Sequence, residues 1–149
     1  MSRAYTTRRL GIVEALVEKL EGINGTGAFL TDVAGNVSPR LKFWDEVEEF
    51  PPVHLDAGSA TREYQGGGYK DRFLSITDRC YVQDEDSVLA LDELLEDVET
   101  VLENNSQLQY KDRQGATQYT QQITIVSVDT DEGVLEPLGV GEIQIEVRY

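Results

Sequence analysis

The residues first in line for chemistry lie in EYQGGGYKDRFLSI, positions 63–76, where Gly66, Gly67 and Gly68 come just before Lys70. Glycine-rich loops followed by lysine hold phosphates through backbone N–H groups and a cation. That arrangement needs GxxxxGK plus a Ser or Thr, running from a strand into a helix whose N-terminus attracts the anion. Here Tyr69 separates the last glycine from the lysine, no Ser or Thr follows, and the next segment alternates like a strand. GTGAFL carries Gly25 and Gly27 but has Leu30 where GxGxxG needs its third glycine. Neither loop meets the requirements for a nucleotide.

Carboxylates are the other reactive supply. In DTDEGVLE, Asp129 and Asp131 have a calcium-loop offset, but positions 6 and 12 of that loop would be Val134 and Val140. An EF-hand needs glycine and a bidentate glutamate there, so an acidic turn is the better account. Asp92, Glu96 and Glu99 share a helical face that would suit acid/base work or a metal. No histidine or basic residue lies near them in sequence, which favours a solvated acidic face. Cys80 and His54, each alone of its type, are formally a nucleophile and base, but both sit in segments that read as strands. GxSxG, HExxH and CxxC are absent. The expectation is a non-enzyme with no cofactor, no metal site and no catalytic residue.

The chain has 149 residues and a net charge of −15. That is one domain's worth, so residues 1–149 are expected to form a single domain. No Lys or Arg occurs between Arg79 and Lys111. A nucleic-acid reader needs a basic footprint, which this distribution lacks; an acidic surface instead repels DNA. No apolar run approaches the roughly 18 residues that would suggest a membrane span. The N-terminus also lacks the uninterrupted apolar core of a secretory signal. A soluble protein made in the cytoplasm, without membrane contact, is therefore expected.

These residues must be positioned by a small set of elements. TRRLGIVEALVEKLEG reads as a helix with Leu10, Val13, Val17 and Leu20 at helical spacing and Gly22 as its stop. SVLALDELLEDVETVLENN reads as a second, with Val88, Leu91, Leu95, Val98 and Leu102 as its stripe. Ser87 or Asp86 caps its start and Asn104 or Asn105 its end. RFLSITDRCYV predicts a strand with Leu74, Ile76, Cys80 and Val82 on one face, interrupted by Asp78. TQYTQQITIVSVD reads as a strand with Tyr119, Ile123 and Ile125 on one face. GEIQIEVRY puts Ile143, Ile145, Val147 and Tyr149 together. GAFLTDVAG and VHLDAG read as short strands, NVSPRLK as a loop, and FWDEVEEF as one or two helical turns. The implied fold is α+β: two helices on one face of a largely antiparallel sheet, with a β-hairpin or loop extension.

The run from Phe50 to Asn105 resembles the central region of phage tail terminator proteins, the family that includes the minor tail protein U type. The resemblance is one of element order: a proline-led short strand (Pro51–Asp56), a polar gap (Arg62–Gln65), a long strand ending in Tyr-Val (Phe73–Val82) and an acidic helix (Ser87–Asn104). It implies a structural virion protein that caps the tail tube as a homohexameric ring. Such a protein stops tube polymerisation and presents the head-joining surface. The implied partners are other copies of itself, the tail tube protein and a neck connector, with DNA passing through the lumen unbound. The implied location is the virion, at the head–tail interface. Ring contacts would be heterologous, joining two different patches of each subunit. Candidate interface residues are Arg3, Arg8 and Arg9, Trp44, and the loop with Tyr64, Gly66, Gly67, Gly68, Tyr69 and Lys70. The alternatives are a neck or head-closure connector, a small metal- or nucleotide-dependent enzyme, and an acidic adaptor or DNA mimic.

Overall fold

The computed structural model describes residues 7–40, 47 and 49–149. Helix α1 spans Arg8–Leu20; Thr7 caps it, its hydroxyl accepting from the Leu10 N–H. A loop region carries the short strand β1 (Val37–Ser38), followed by the long strands β2 (Val53–Tyr64) and β3 (Lys70–Gln83). Helix α2 covers Ser87–Asn104, with Asp86 as its N-cap and Asn105 as its C-cap. β4 (Gln109–Lys111) and β5 (Thr117–Tyr119) form a small hairpin, and β6 (Gln122–Thr130) and β7 (Leu138–Arg148) complete the main sheet. Strand order is β1-β2-β3-β7-β6, antiparallel except for the β1–β2 pair. The class is therefore α+β, with both helices sharing one core with the sheet.

The core forms where the two periodicities meet. Leu74, Ile76, Cys80 and Val82 of β3 and Ile143, Ile145 and Val147 of β7 face Ile12, Leu16 and Leu20 of α1 and Leu91, Leu94, Leu95, Val98 and Leu102 of α2. Both helices rotate slightly from the stripe that the spacing suggests. Leu10 and Val88 are exposed, while Ile12, Leu16, Leu94 and Val101 are buried. Spacing defines a stripe's period but leaves its edge to whatever covers it. α2 packs tightly over Gly141: an added Cβ would sit 3.1–3.3 Å from Leu91 and Leu95 methyls.

Several local expectations give way to tertiary contacts. GAFLTDVAG is a loop with one isolated bridge, Asn24 to Asp32, rather than a strand. Val37–Ser38, expected as loop, is the short parallel edge strand. Of FWDEVEEF only Val47, Glu49 and Phe50 are described, and the last two form a bend; the remainder of that expectation lies outside the described residues. TQYTQQITIVSVD is two strands, not one. Thr120 between them is buried, its hydroxyl donating to Ser106 O and accepting from the Leu108 N–H, while Tyr119 is exposed. A hydroxyl held by two backbone groups inverts the in/out order that alternation implies. VHLDAG is not a short strand either: β2 runs on through Tyr64, and of the expected polar gap Arg62–Gln65 only Gln65 lies beyond it.

Candidate functional site

The glycine run forms the tip of the β2–β3 hairpin. Gly66–Gly68 make a tight turn closed by the Gln65 N–H donating to Tyr69 O at 2.7 Å. Gly67 and Gly68 have φ of 76° and 84°, a region that side chains with a Cβ avoid, so the turn needs glycine there. A strand follows the turn, not a helix, so the backbone donors a phosphate would need are not presented. The run is thus a defined turn rather than a loose connection into β3.

Register explains what this hairpin carries. β3 pairs with β7 back to Phe73↔Arg148, and the Tyr149 N–H then donates to Arg72 O. Beyond that point β2 and β3 continue as a two-stranded ribbon, pairing Arg62↔Arg72, Glu63↔Asp71 and Tyr64↔Lys70. Every residue from Gly58 to Lys70 is exposed, so neither face is covered. Directly opposed residues project to one face, and alternate residues share it. Arg72 and Lys70 follow Leu74 in phase, which puts them with Arg62 and Tyr64 on the helix side of the sheet. The Lys70 ammonium lies 6.0 Å from the Tyr64 ring centroid. Glu63 and Asp71 take the other face, where Asp71 accepts from Arg148 at 2.7 Å. A β-bulge after Ala57 turns the ribbon, and the Arg9 guanidinium donates to Ala57 O at 2.8 Å. Arg9 therefore braces the root of the arm, while Arg8 is exposed at the start of α1. Tyr64 and Tyr69 are 77% and 76% exposed at the tip. Arg3 and Trp44 lie outside the described residues.

The acidic helix divides in two. Asp92 and Glu96 are exposed, with Glu99 and Glu103 on the same face. Partial burial and the neighbouring carboxylates of Glu96, Glu103 and Asp92 push Glu99 up, a sign that the cluster repels itself. Asp97, next to Glu96 in the chain, is buried and does something else. Its carboxylate accepts from the Leu30 and Thr31 N–H groups and from the Thr31 hydroxyl, at 2.6–3.1 Å, tying the α1–β1 loop to α2. No single-sequence signal marked that role, because its partners lie 66 and 67 positions away.

Cys80 and His54 do not form a pair. Cys80 is opposite Val53 and His54 opposite Arg79, so the thiol faces the core and the imidazole the other side of the sheet. His54 sits edge-on to Tyr81 at 5.3 Å, and burial raises the Cys80 thiol well above its usual range. Asp78, the interruption in the β3 stripe, is fully buried with neither carboxylate oxygen hydrogen-bonded. Burial pushes its carboxyl well above the usual range, so the neutral acid is favoured. Among the described residues, no group of three or more His, Cys, Asp or Glu converges on a metal position. No described helix is long and apolar enough to cross a membrane.

Two concavities accompany these features. One of about 320 Å³ runs between α1 and β4, lined by Glu14, Glu18, Lys19 and Tyr110. Another of about 470 Å³ lies by Phe50, Pro51, Val82 and Glu93. Neither contains the arm or the buried Cys80, and a smaller one of about 60 Å³ is lined by Val88, Asp92, Asp131 and Glu132.

The projecting arm is thus bare on both faces, and the acidic face of α2 repels itself. The chain belongs to the family of bacteriophage tail tube terminator proteins, whose model matches residues 6–149. It is also similar to the tail tube terminator protein p142 of Escherichia phage T5, with 31% identity over 150 residues, covering 95% of this chain and 92% of that protein. Both comparisons point to a structural, tail-terminating phage protein rather than an enzyme.

Proposed function

We propose that the protein closes the tail tube as a homohexameric ring, ending tube polymerisation and presenting the surface on which the head-side neck connector docks. The observation that carries this reading is the family match over residues 6–149, supported by the T5 relative across nearly its whole length. The ring needs no cofactor. Its partners are further copies of the chain, the tail tube protein and the connector, all within the virion tail. DNA passes through the lumen without specific binding, and the net charge of −15 supports that role because it repels the phosphate backbone. The hairpin tip from Tyr64 to Lys70, with Gly66, Gly67, Gly68 and Tyr69, serves as an interface, as does Arg8.

The test combines light scattering of the purified protein with negative-stain images of purified tail tubes incubated with it. Rings in solution or on tube ends, and tubes that no longer lengthen, are the expected results. A chain that stays monomeric and leaves tube growth unchanged overturns the reading.

A further inference from the structure

Two clusters of like charge sit on different faces of this chain, and each is uncompensated within the subunit. On the arm, Arg62 lies directly across from Arg72 with Lys70 on the same face, and none of the three makes an ion pair among the described residues. Like charges directly opposed across a strand pair are destabilising, and an isolated two-stranded ribbon is marginal in water. On α2, Asp92, Glu96, Glu99 and Glu103 form one outward stripe, where partial burial and then its neighbours' charges raise the Glu99 carboxyl. Each cluster is what the other lacks.

Their spacings and flanks also agree. Two strand residues advance about 6.8 Å and four helix residues about 6 Å, so Lys70 and Arg72 step at nearly the interval of Asp92 and Glu96. Directly across from Lys70 is the exposed ring of Tyr64, and one residue further toward the tip is that of Tyr69. Beyond the carboxylates, toward the start of α2, come Val88 and, from the β6–β7 turn, Val134, which are 52% and 82% exposed. Gly133 in that turn lies against Val88, so the turn that carries Val134 abuts the start of α2. Charge meets charge and apolar meets apolar in one orientation.

We infer that the basic face of the arm docks on the carboxylate stripe of α2 in the next copy of the chain, with the tyrosine tip on the Val88–Val134 patch. The occupant is a second copy, because the same chain carries a surface of matching sign, spacing and flank. The two patches are different, so the contact is head-to-tail and repeats around a ring. This inference rests on the ring reading and specifies the contact that closes it. The contact is electrostatic, so it weakens as salt rises.

The test uses two full-length variants, R62E/R72E and D92K/E96K, all four changes being on the surface of the arm or helix. Each alone is expected to associate about 100-fold more weakly than wild type, or worse, because every interface then opposes like charges. An equimolar mixture should restore assembly, since alternating subunits place each reversed arm on a reversed helix and each native arm on a native helix. Restoration also shows that both variants are folded. If wild type assembles and both variants assemble equally well, this contact is wrong and the ring reading stands. Failure of the mixture, with both variants folded by circular dichroism, also overturns the contact. Unchanged assembly of R62E/R72E with lost binding to duplex DNA would assign the arm to DNA instead. A wild type that is monomeric both free and on tube ends overturns the ring and this contact together.

Discussion

Among the described residues, Asp78 carries the one buried carboxyl without a hydrogen-bond partner, and replacing it with asparagine isolates the cost of its charge. Burial raises its folded-state value well above the ordinary one. The sign follows from proton linkage. An acid whose value is raised by folding binds its proton more tightly in the native state, so its effect favours folding at low pH and is lost as pH rises. The loss begins near the unfolded value of about 3.9 and continues up to the raised folded value. Across that window the native state holds one more proton than the unfolded state, which makes the slope about −1.4 kcal/mol per pH unit. Asp78→Asn removes the titration while keeping the side-chain size. Wild type minus Asp78→Asn stability should therefore fall by about 1.4 kcal/mol per pH unit above pH 4, then flatten. For a chain of this length that corresponds to a melting-temperature gap opening by about 3–5 °C per pH unit. Urea unfolding of both proteins from pH 4 to 8, followed by tryptophan fluorescence and circular dichroism, measures it. Parallel stability curves would show that Asp78 is ionised and satisfied in the native state, and would refute the argument.

Asp97→Ala should cost about 2–3 kcal/mol, because it strips charge-assisted partners from the Leu30 and Thr31 N–H groups; denaturant melts would read it, with amide exchange rising in the loop around Thr31. Gly141→Ala should destabilise by about 1–3 kcal/mol by forcing the Leu91 and Leu95 methyls aside, again measured by denaturant unfolding. Deleting Gly66–Gly68 should disturb ring formation or tube docking far more than the melting temperature, since every residue of the tip is exposed. A monomer unfolded by that deletion would make the tip a folding element instead.

Much of the fold was legible because its signals are local. The stripes of α1 and α2 and the alternation in Phe73–Val82 and Gly141–Tyr149 are set by the helical and strand periods, which any stretch of chain carries with it. The α+β class and the absence of a phosphate loop follow from those signals alone. The same locality hid the rest. That VHLDAG extends to Tyr64 depends on pairing with β3, since the outer half is too polar to announce a strand. Thr120 points inward because Ser106 and Leu108 hold its hydroxyl, and those partners are brought near by the β4–β5 hairpin.

The candidate site divides along the same line. Sequence by itself determined that the tip is rich in glycine and tyrosine, that α2 carries carboxylates, and that the chain as a whole is strongly acidic. Only the tertiary structure decided that Arg62, Lys70 and Arg72 share one face, because cross-strand register, not sequence distance, places side chains together. It likewise decided that Asp97 turns inward while Asp92 and Glu96 stay out, and that Cys80 and His54 occupy opposite sides of the sheet. Composition and period belong to the chain; which groups meet depends on how distant segments pair, and that is settled only when the sheet closes under its helices.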